Sequence, residues 1–292
     1  MPDNGSYLLA NVGFSSKEEP LLLLQRGAEF INFYPLQKSF TLGFDTSQRF
    51  CTGWRDITKG ERFVCPSSSM VDAKYEQCPA CQKRTGFNPA FYHATSISEQ
   101  QEARNQEPHI LYLAYFGQGI VKVGISHAKR GNARLLEQGA RYALILGEFP
   151  TAHIARHYEA QIAKMPGIKE TVQLNKKVEL ATSRYDATTA QNELEATHQR
   201  ITATLNVNLE SKLLSFDDRY FSNDTPNLGS AHNTSDIHTV SGICIGQLGT
   251  LLFCRQDDSL LMLPLKKYVG YTMSLNDAVT PIETPAQQIS LF

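Results

Sequence analysis

The 292-residue chain carries 28 Lys and Arg against 29 Asp and Glu, and 41% of its residues are hydrophobic. That length and composition suit a globular, soluble chain of two or three domains. Apolar runs such as residues 21–24 and 142–146 fall far short of a membrane-spanning helix, and the first ten residues lack the basic and apolar segments of an export signal, so the expected location is the cytoplasm. In that compartment six cysteines point to metal or buried thiols rather than disulfides.

The near-zero net charge conceals a division. Residues 108–180 hold 10 Lys and Arg against 5 Asp and Glu, whereas residues 181–292 hold 7 against 12. A basic segment inside an acidic chain favours a phosphate-rich partner; the alternative is an ordinary solvated surface.

Residues 20–44 read as short strands, LLLLQRG, AEFINFYP and KSFTLGF, separated by turn residues. Residues 51–92 hold four cysteines among Gly, Pro and Ser. Cys78 and Cys81 form a CPAC pair, a spacing at which two thiolates grip one zinc ion. A closed tetrahedral site needs two more ligands, for which Cys51 and Cys65 are nearest; His93 is the substitute for one of them. A redox CxxC is the competing reading. The polar stretch 96–108 ends in proline and marks a boundary.

Two strand-like runs, HILYLAYF and GIVKVGIS, then flank Gly117-Gln118-Gly119, a hairpin signal. NARLLEQGA reads as a short helix stopped near Gly139. A strand, RYALILGEF, follows. Thr151 caps a further helix whose apolar face is expected to be Ile154, Tyr158, Ile162 and Met165. His153 and His157 stand four apart on it, a metal-capable spacing without an evident third ligand, so a solvated face is the reading. Residues 187–206 read as another helix and 223–236 as a linker. SGICIGQLG, TLLFCRQDD, SLLMLPLKKY and GYTMSL look like strands of a small β unit, in which Cys244 and Cys254 are packing residues.

The ILY of 110–112 and the KVG of 122–124 resemble the two signature strands of the GIY-YIG nuclease superfamily, with Ile110 in place of the first glycine and Lys122 in place of the second tyrosine. The β-β-α-β-α order, an arginine opening the first helix and a glutamate inside the second resemble it too. The CPAC knuckle and the phrase ARLLEQGA resemble a zinc-bearing bacterial branch. The resemblance covers roughly 108–175. It implies hydrolysis of a phosphodiester in DNA, with Tyr112 beside the attacking water as its base and Lys122 lowering the phenol's pKa or touching phosphate. Arg134 would clamp a phosphate oxygen, with Arg130 as competitor, and Glu159 would hold one Mg²⁺ or Mn²⁺. His127 is a loop residue placed to assist proton transfer. A member that binds DNA or RNA without cutting is the alternative.

The final residues, Gln288, Ile289, Ser290, Leu291 and Phe292, resemble the pentapeptide by which bacterial polymerases and repair proteins bind the replicative sliding clamp. Gln288 offers a donor and an acceptor, and Ile289, Leu291 and Phe292 offer apolar area to a groove. A tail docked on its own domain is the competing reading. The spacer 276–287, as a flexible coil, would span roughly 20 Å.

These readings combine into an α+β chain. A β-rich module with a zinc knuckle (1–107) precedes a small antiparallel sheet with flanking helices (108–186). A helical connection (187–222), a small β unit (237–275) and a free tail (276–292) follow. The implied setting is replication or repair at the nucleoid, with DNA and the clamp as partners and structural Zn²⁺ as a cofactor.

Overall fold

The computed structural model describes residues 6–88, 96–222 and 227–282. The class is α+β, with mostly antiparallel sheets. The chain opens with β1 (Ser6–Phe14), β2 (Pro20–Arg26), β3 (Glu29–Phe33) and β4 (Ser39–Arg49). A two-residue hairpin, β5 (Trp54–Arg55) and β6 (Arg62–Phe63), and the short helices α1 (Pro79–Thr85) and α2 (Glu99–Asn105) follow. The expected β-β-α-β-α order comes next: β7 (His109–Gly117), β8 (Ile120–His127), α3 (Ala133–Gln138), β9 (Tyr142–Phe149) and α4 (Ala152–Ala163). Then come β10 (Ile168–Lys169), α5 (Leu174–Thr182), α6 (Ala187–Leu205), β11 (Lys212–Ser215) and α7 (Asp217–Tyr220). The chain closes with β12 (His232–Asn233), β13 (Thr239–Leu248), β14 (Leu251–Gln256), β15 (Ser259–Pro264) and β16 (Tyr271–Asn276).

The N-terminal and C-terminal strands, expected in separate units, share one nine-stranded sheet in the order β12-β15-β14-β13-β4-β16-β1-β2-β3. The last strand is inserted between β4 and β1. Thr239 to Ile243 pair with Gly43 to Ser39, and Ser274 pairs with Ser6. The physical reason is burial: half-apolar strands leave unpaired edges and an uncovered face when isolated. Joined, Leu9, Leu22, Leu42, Leu252, Leu263 and Met273 make one core.

The second sheet runs β10-β8-β7-β9-β11. Side-chain alternation along β7 sends its two faces to different cores. Leu111, Leu113 and Tyr115 pack with Ile162 of α4 and with Ala190, Leu194 and Ile201 of α6. Tyr112, Ala114 and Phe116 pack with Leu135 and Leu136 of α3, and with Phe253 and Met262 of the nine-stranded sheet. The sheets therefore sandwich α3. Its C-terminal Gly139 (φ +78°) meets Gly249 (φ +62°) in the β13–β14 turn so closely that a Cβ at Gly249 would lie 2.7 Å from the Gly139 nitrogen. A side chain at that turn would push α3 out of place.

Two local expectations change. On α4, Ile154 is 42% exposed, and the inward row is Ala155, Glu159 and Ile162. The tail is not free from residue 276 onward. The Thr280 N–H donates to Thr41 Oγ1 at 2.9 Å, and Ile282 exchanges hydrogen bonds with the Gln256 side chain at 3.0 and 3.1 Å, so the spacer is sewn to the sheet through 282. Residues 288–292 lie outside the described residues. Among the described residues no helix is long and apolar enough to cross a membrane.

Candidate functional site

Cys51, Cys65, Cys78 and Cys81 come together with their sulfur atoms all within 4.8 Å of one another, and all four are buried. Cys51 precedes β5, Cys65 follows β6, and the CPAC pair opens α1, so the cluster clamps both ends of the hairpin to a helix. The Cys78 N–H donates to the Cys51 sulfur at 3.2 Å, a bond that favours thiolate. Burial pushes the Cys65 thiol up, but the N–H groups of Ser69 and Ser67 outweigh it and bring it down to about 6. Burial pushes the Cys51 and Cys81 thiols up. A full tetrahedral donor set of this kind can hold a metal ion such as zinc. His93 lies outside the described residues.

Tyr112, Lys122, Arg134 and Glu159 line one cavity of about 330 Å³. It lies beside β8, where β10 pairs only with Val121 and Lys122 and the edge continues through Gly124, Ile125 and Ser126. Each element supplies its residue for a local reason. Tyr112 is the buried-face residue of β7 opposite Gly124. Arg134 sits in the first turn of α3, and Glu159 occupies the buried row of α4. Arg130 also lines the cavity but is engaged by Glu137.

The Tyr112 hydroxyl accepts from Gln138 Nε2 at 2.8 Å. Gln138 is four residues beyond Arg134 on α3, whose carbonyl the same amide also meets at 3.2 Å. Burial pushes the Tyr112 phenol above its ordinary value, against the pull of the Arg134 guanidinium and Gln138. The expectation that neighbouring cations lower it is thus corrected: a phenol that is 1% exposed pays more in desolvation than these donors return. Lys122 shifts instead. Its ammonium donates to the Val123 carbonyl at 3.1 Å and stands 5.8 Å from the Tyr112 ring centre. Burial, then the Arg134 charge, carries it down to about 8.

Glu159 is paired with Arg156, which also lies 3.7 Å from Glu170. His109 and His127 line the same cavity, face each other across β7 and β8, and meet edge to face at 5.2 Å. His127 Nε2 is 2.7 Å from the Glu107 carboxylate, and its Nδ1 accepts from the Lys129 N–H at 3.2 Å, so both ring nitrogens are occupied. Burial lowers the pKa of both imidazoles. His153 and His157 are exposed on α4, and no metal-capable group among the described residues includes them. Cys244 and Cys254 are buried cross-strand partners, in keeping with packing residues.

Sequence reasoning missed Gln138, Arg156 and Glu107. Two of these had a signal: Gln138 follows Arg134 by four residues and Arg156 precedes Glu159 by three, spacings that share a helix face. Glu107 reaches His127 only through the fold.

No curated protein and no solved structure was found to match this chain. Residues 74–273 match the family described as protein of unknown function, DUF2797. That span takes in part of the cysteine knuckle, the whole basic cavity and most of the C-terminal strands, and the chain belongs to this family.

Proposed function

We propose that the protein is a metal-dependent DNA endonuclease of GIY-YIG type, acting in replication or repair and recruited by the sliding clamp. The observation that carries the reading is the shared cavity of Tyr112, Lys122, Arg134 and Glu159, residues spread over 48 positions of the sequence. Hydrolysis forms a bond from water oxygen to phosphorus and breaks one phosphorus–ester bond, leaving a phosphomonoester and a hydroxyl.

Glu159 is paired with Arg156, which lies 3.7 Å from Glu170 on the same cavity; with Arg156 turned away, their carboxylate oxygens would offer hard donors of the kind that Mg²⁺ or Mn²⁺ takes. A bound divalent ion would offset the charge that develops on phosphate and leaving oxygen. Arg134 holds a non-bridging oxygen through its planar fork. Tyr112, held by Gln138 and protonated at neutral pH, orients the attacking water rather than starting as phenolate. Lys122, at about 8, is divided between cation and neutral amine near neutral pH, so its neutral fraction can take the proton that water releases. In the knuckle the ion is zinc in a structural role: it ties a loop-rich segment that has little core of its own.

Nicked, flapped and branched DNA, incubated with Mg²⁺ or Mn²⁺, tests the reading. The wild type cuts at least one of them and Glu159→Ala does not; no cleavage by either removes the enzyme. A non-catalytic DNA- or RNA-binding adaptor is the second reading, favoured by the upward shift of Tyr112. The clamp is tested separately, by a pull-down with and without residues 288–292. Loss of recovery on deletion supports recruitment, and equal recovery ends it.

A further inference from the structure

A second cavity, of about 480 Å³, adjoins the first and shares Lys122, Arg130, Arg134 and Glu170 with it. Four more cations line it from three parts of the chain: Arg55 and Arg62 from the knuckle hairpin, Lys177 from α5 and Lys266 just after β15. On its walls Glu137 is paired with Arg130, Glu170 lies 3.7 Å from Arg156, and Lys266 is paired with Glu76, which leaves Lys122, Arg134, Arg55, Arg62 and Lys177 without a carboxylate partner among the described ion pairs. The cavity therefore holds more positive charge than the protein balances.

The hairpin makes the imbalance concrete. Arg55 and Arg62 are direct cross-strand partners in a sheet of two strands. Like charges directly opposite destabilise such a pair. The Arg55 Nε is buried without a hydrogen-bond partner. Burial, then the Arg55 charge, lowers Arg62; burial, then Arg134, Lys122 and Lys266, carries Lys177 down to about 8. Folding that brings these groups together costs free energy unless something anionic returns it. The cysteine cluster lies at both ends of the hairpin, so a metal held there would keep the two arginines in place against their repulsion.

We infer that this second cavity binds a further phosphate group of the same nucleic-acid strand, gripped by Arg55, Arg62, Lys177 and Lys266 while the first cavity holds the phosphodiester to be cut. Guanidinium pairs fit phosphate oxygens two at a time. The shared walls put both phosphates on one continuous groove. The inference rests on the nuclease reading for its substrate, but it is measured by binding, not by cleavage.

The test is fluorescence anisotropy with a labelled flapped DNA oligonucleotide, without magnesium, between 50 and 200 mM salt as the range over which phosphate contacts are read. Wild type, Arg62→Gln/Lys177→Gln and Lys266→Gln are compared, with Glu159→Gln as the variant outside the second cavity. Each lost phosphate contact flattens the plot of log affinity against log salt by about 0.7 to 0.9. The double variant is expected to bind about tenfold more weakly at low salt with a slope reduced by nearly 2, and Lys266→Gln to lose about 1. Wild-type slopes in both variants overturn the proposal. Lys266 is about half exposed and paired with Glu76, so Lys266→Gln is read against Glu76→Gln, whose slope is expected to stay at the wild-type value; with that control it decides alone should the double variant fail to fold. If the slopes fall but wild type cuts nothing, the phosphate site stands and the nuclease does not. If Glu159→Gln abolishes cleavage while the slopes hold, the nuclease stands and the second site does not.

Discussion

Tyr112 faces Gly124 across the β7–β8 pair at contact so close that a Cβ on Gly124 would lie 2.5 Å from the phenol oxygen and 3.0 Å from Lys122 Nζ. The glycine is the floor on which the tyrosine and lysine rest. Gly124→Ala is expected to displace both, destabilise the fold by about 1–3 kcal/mol, and lower the denaturant midpoint without changing the slope of the transition. A midpoint equal to wild type would mean the phenol moves aside freely.

Tyr112→Phe keeps the ring and removes the hydroxyl that Gln138 meets. Orienting water is a catalytic task, not a binding one. The variant is expected to lose about a hundredfold in single-turnover cleavage, with DNA affinity changed by less than about twofold. Its leftover amide donor costs about 1–3 kcal/mol of stability. Parallel losses of affinity and rate would assign Tyr112 to binding.

Lys122 and Lys177 both fall from the ordinary 10.5 to about 8. Between those values the unfolded chain holds more protons than the folded one, so stability rises with pH across that window, and the cost of the buried charges is felt in full below about 8. Binding runs the other way, because phosphate needs the charged form. DNA affinity at constant ionic strength is expected to fall from pH 7 to pH 9, and less steeply in Lys177→Gln. A flat profile would contradict the lysines' part in the groove.

Cys78→Ser/Cys81→Ser removes half the donor set of the knuckle. Metal analysis is expected to give about one zinc per wild-type chain and none in the variant. Limited proteolysis should then open residues 51–85 first. DNA affinity should drop as well, since the hairpin bearing Arg55 and Arg62 is clamped by these sulfurs. Unchanged metal content or unchanged affinity would separate the knuckle from the groove.

The cysteine cluster was readable from metal-ligand chemistry, through the CPAC spacing and the two further cysteines ahead of it. Tyr112, Lys122, Arg134 and Glu159 are singled out by the resemblance to the GIY-YIG superfamily, and the structure brings them to one cavity. The pKa directions were not readable, because desolvation of Tyr112 depends on α3 and the distant Phe253 and Met262 closing over its face of the sheet. Strand β1 escaped notice because Asn11 and a bulge after Leu9 break its alternation. The inward row of α4 was misread because Ala155 carries little hydrophobic signal beside Ile154. The merged sheet was hidden for a different reason: apolar alternation tells a strand which face is buried, and says nothing of the partner 200 residues away that completes it.

The account comes down to whether Glu159 enables hydrolysis in the cavity it shares with Tyr112, Lys122 and Arg134. Single-turnover cleavage of flapped and nicked DNA by wild type and Glu159→Gln, at matched Mg²⁺ or Mn²⁺, measures this directly. The account predicts cutting by wild type and a loss of at least about a hundredfold in the variant, with DNA binding retained. Equal rates in the two proteins, or intact DNA in both, would contradict it.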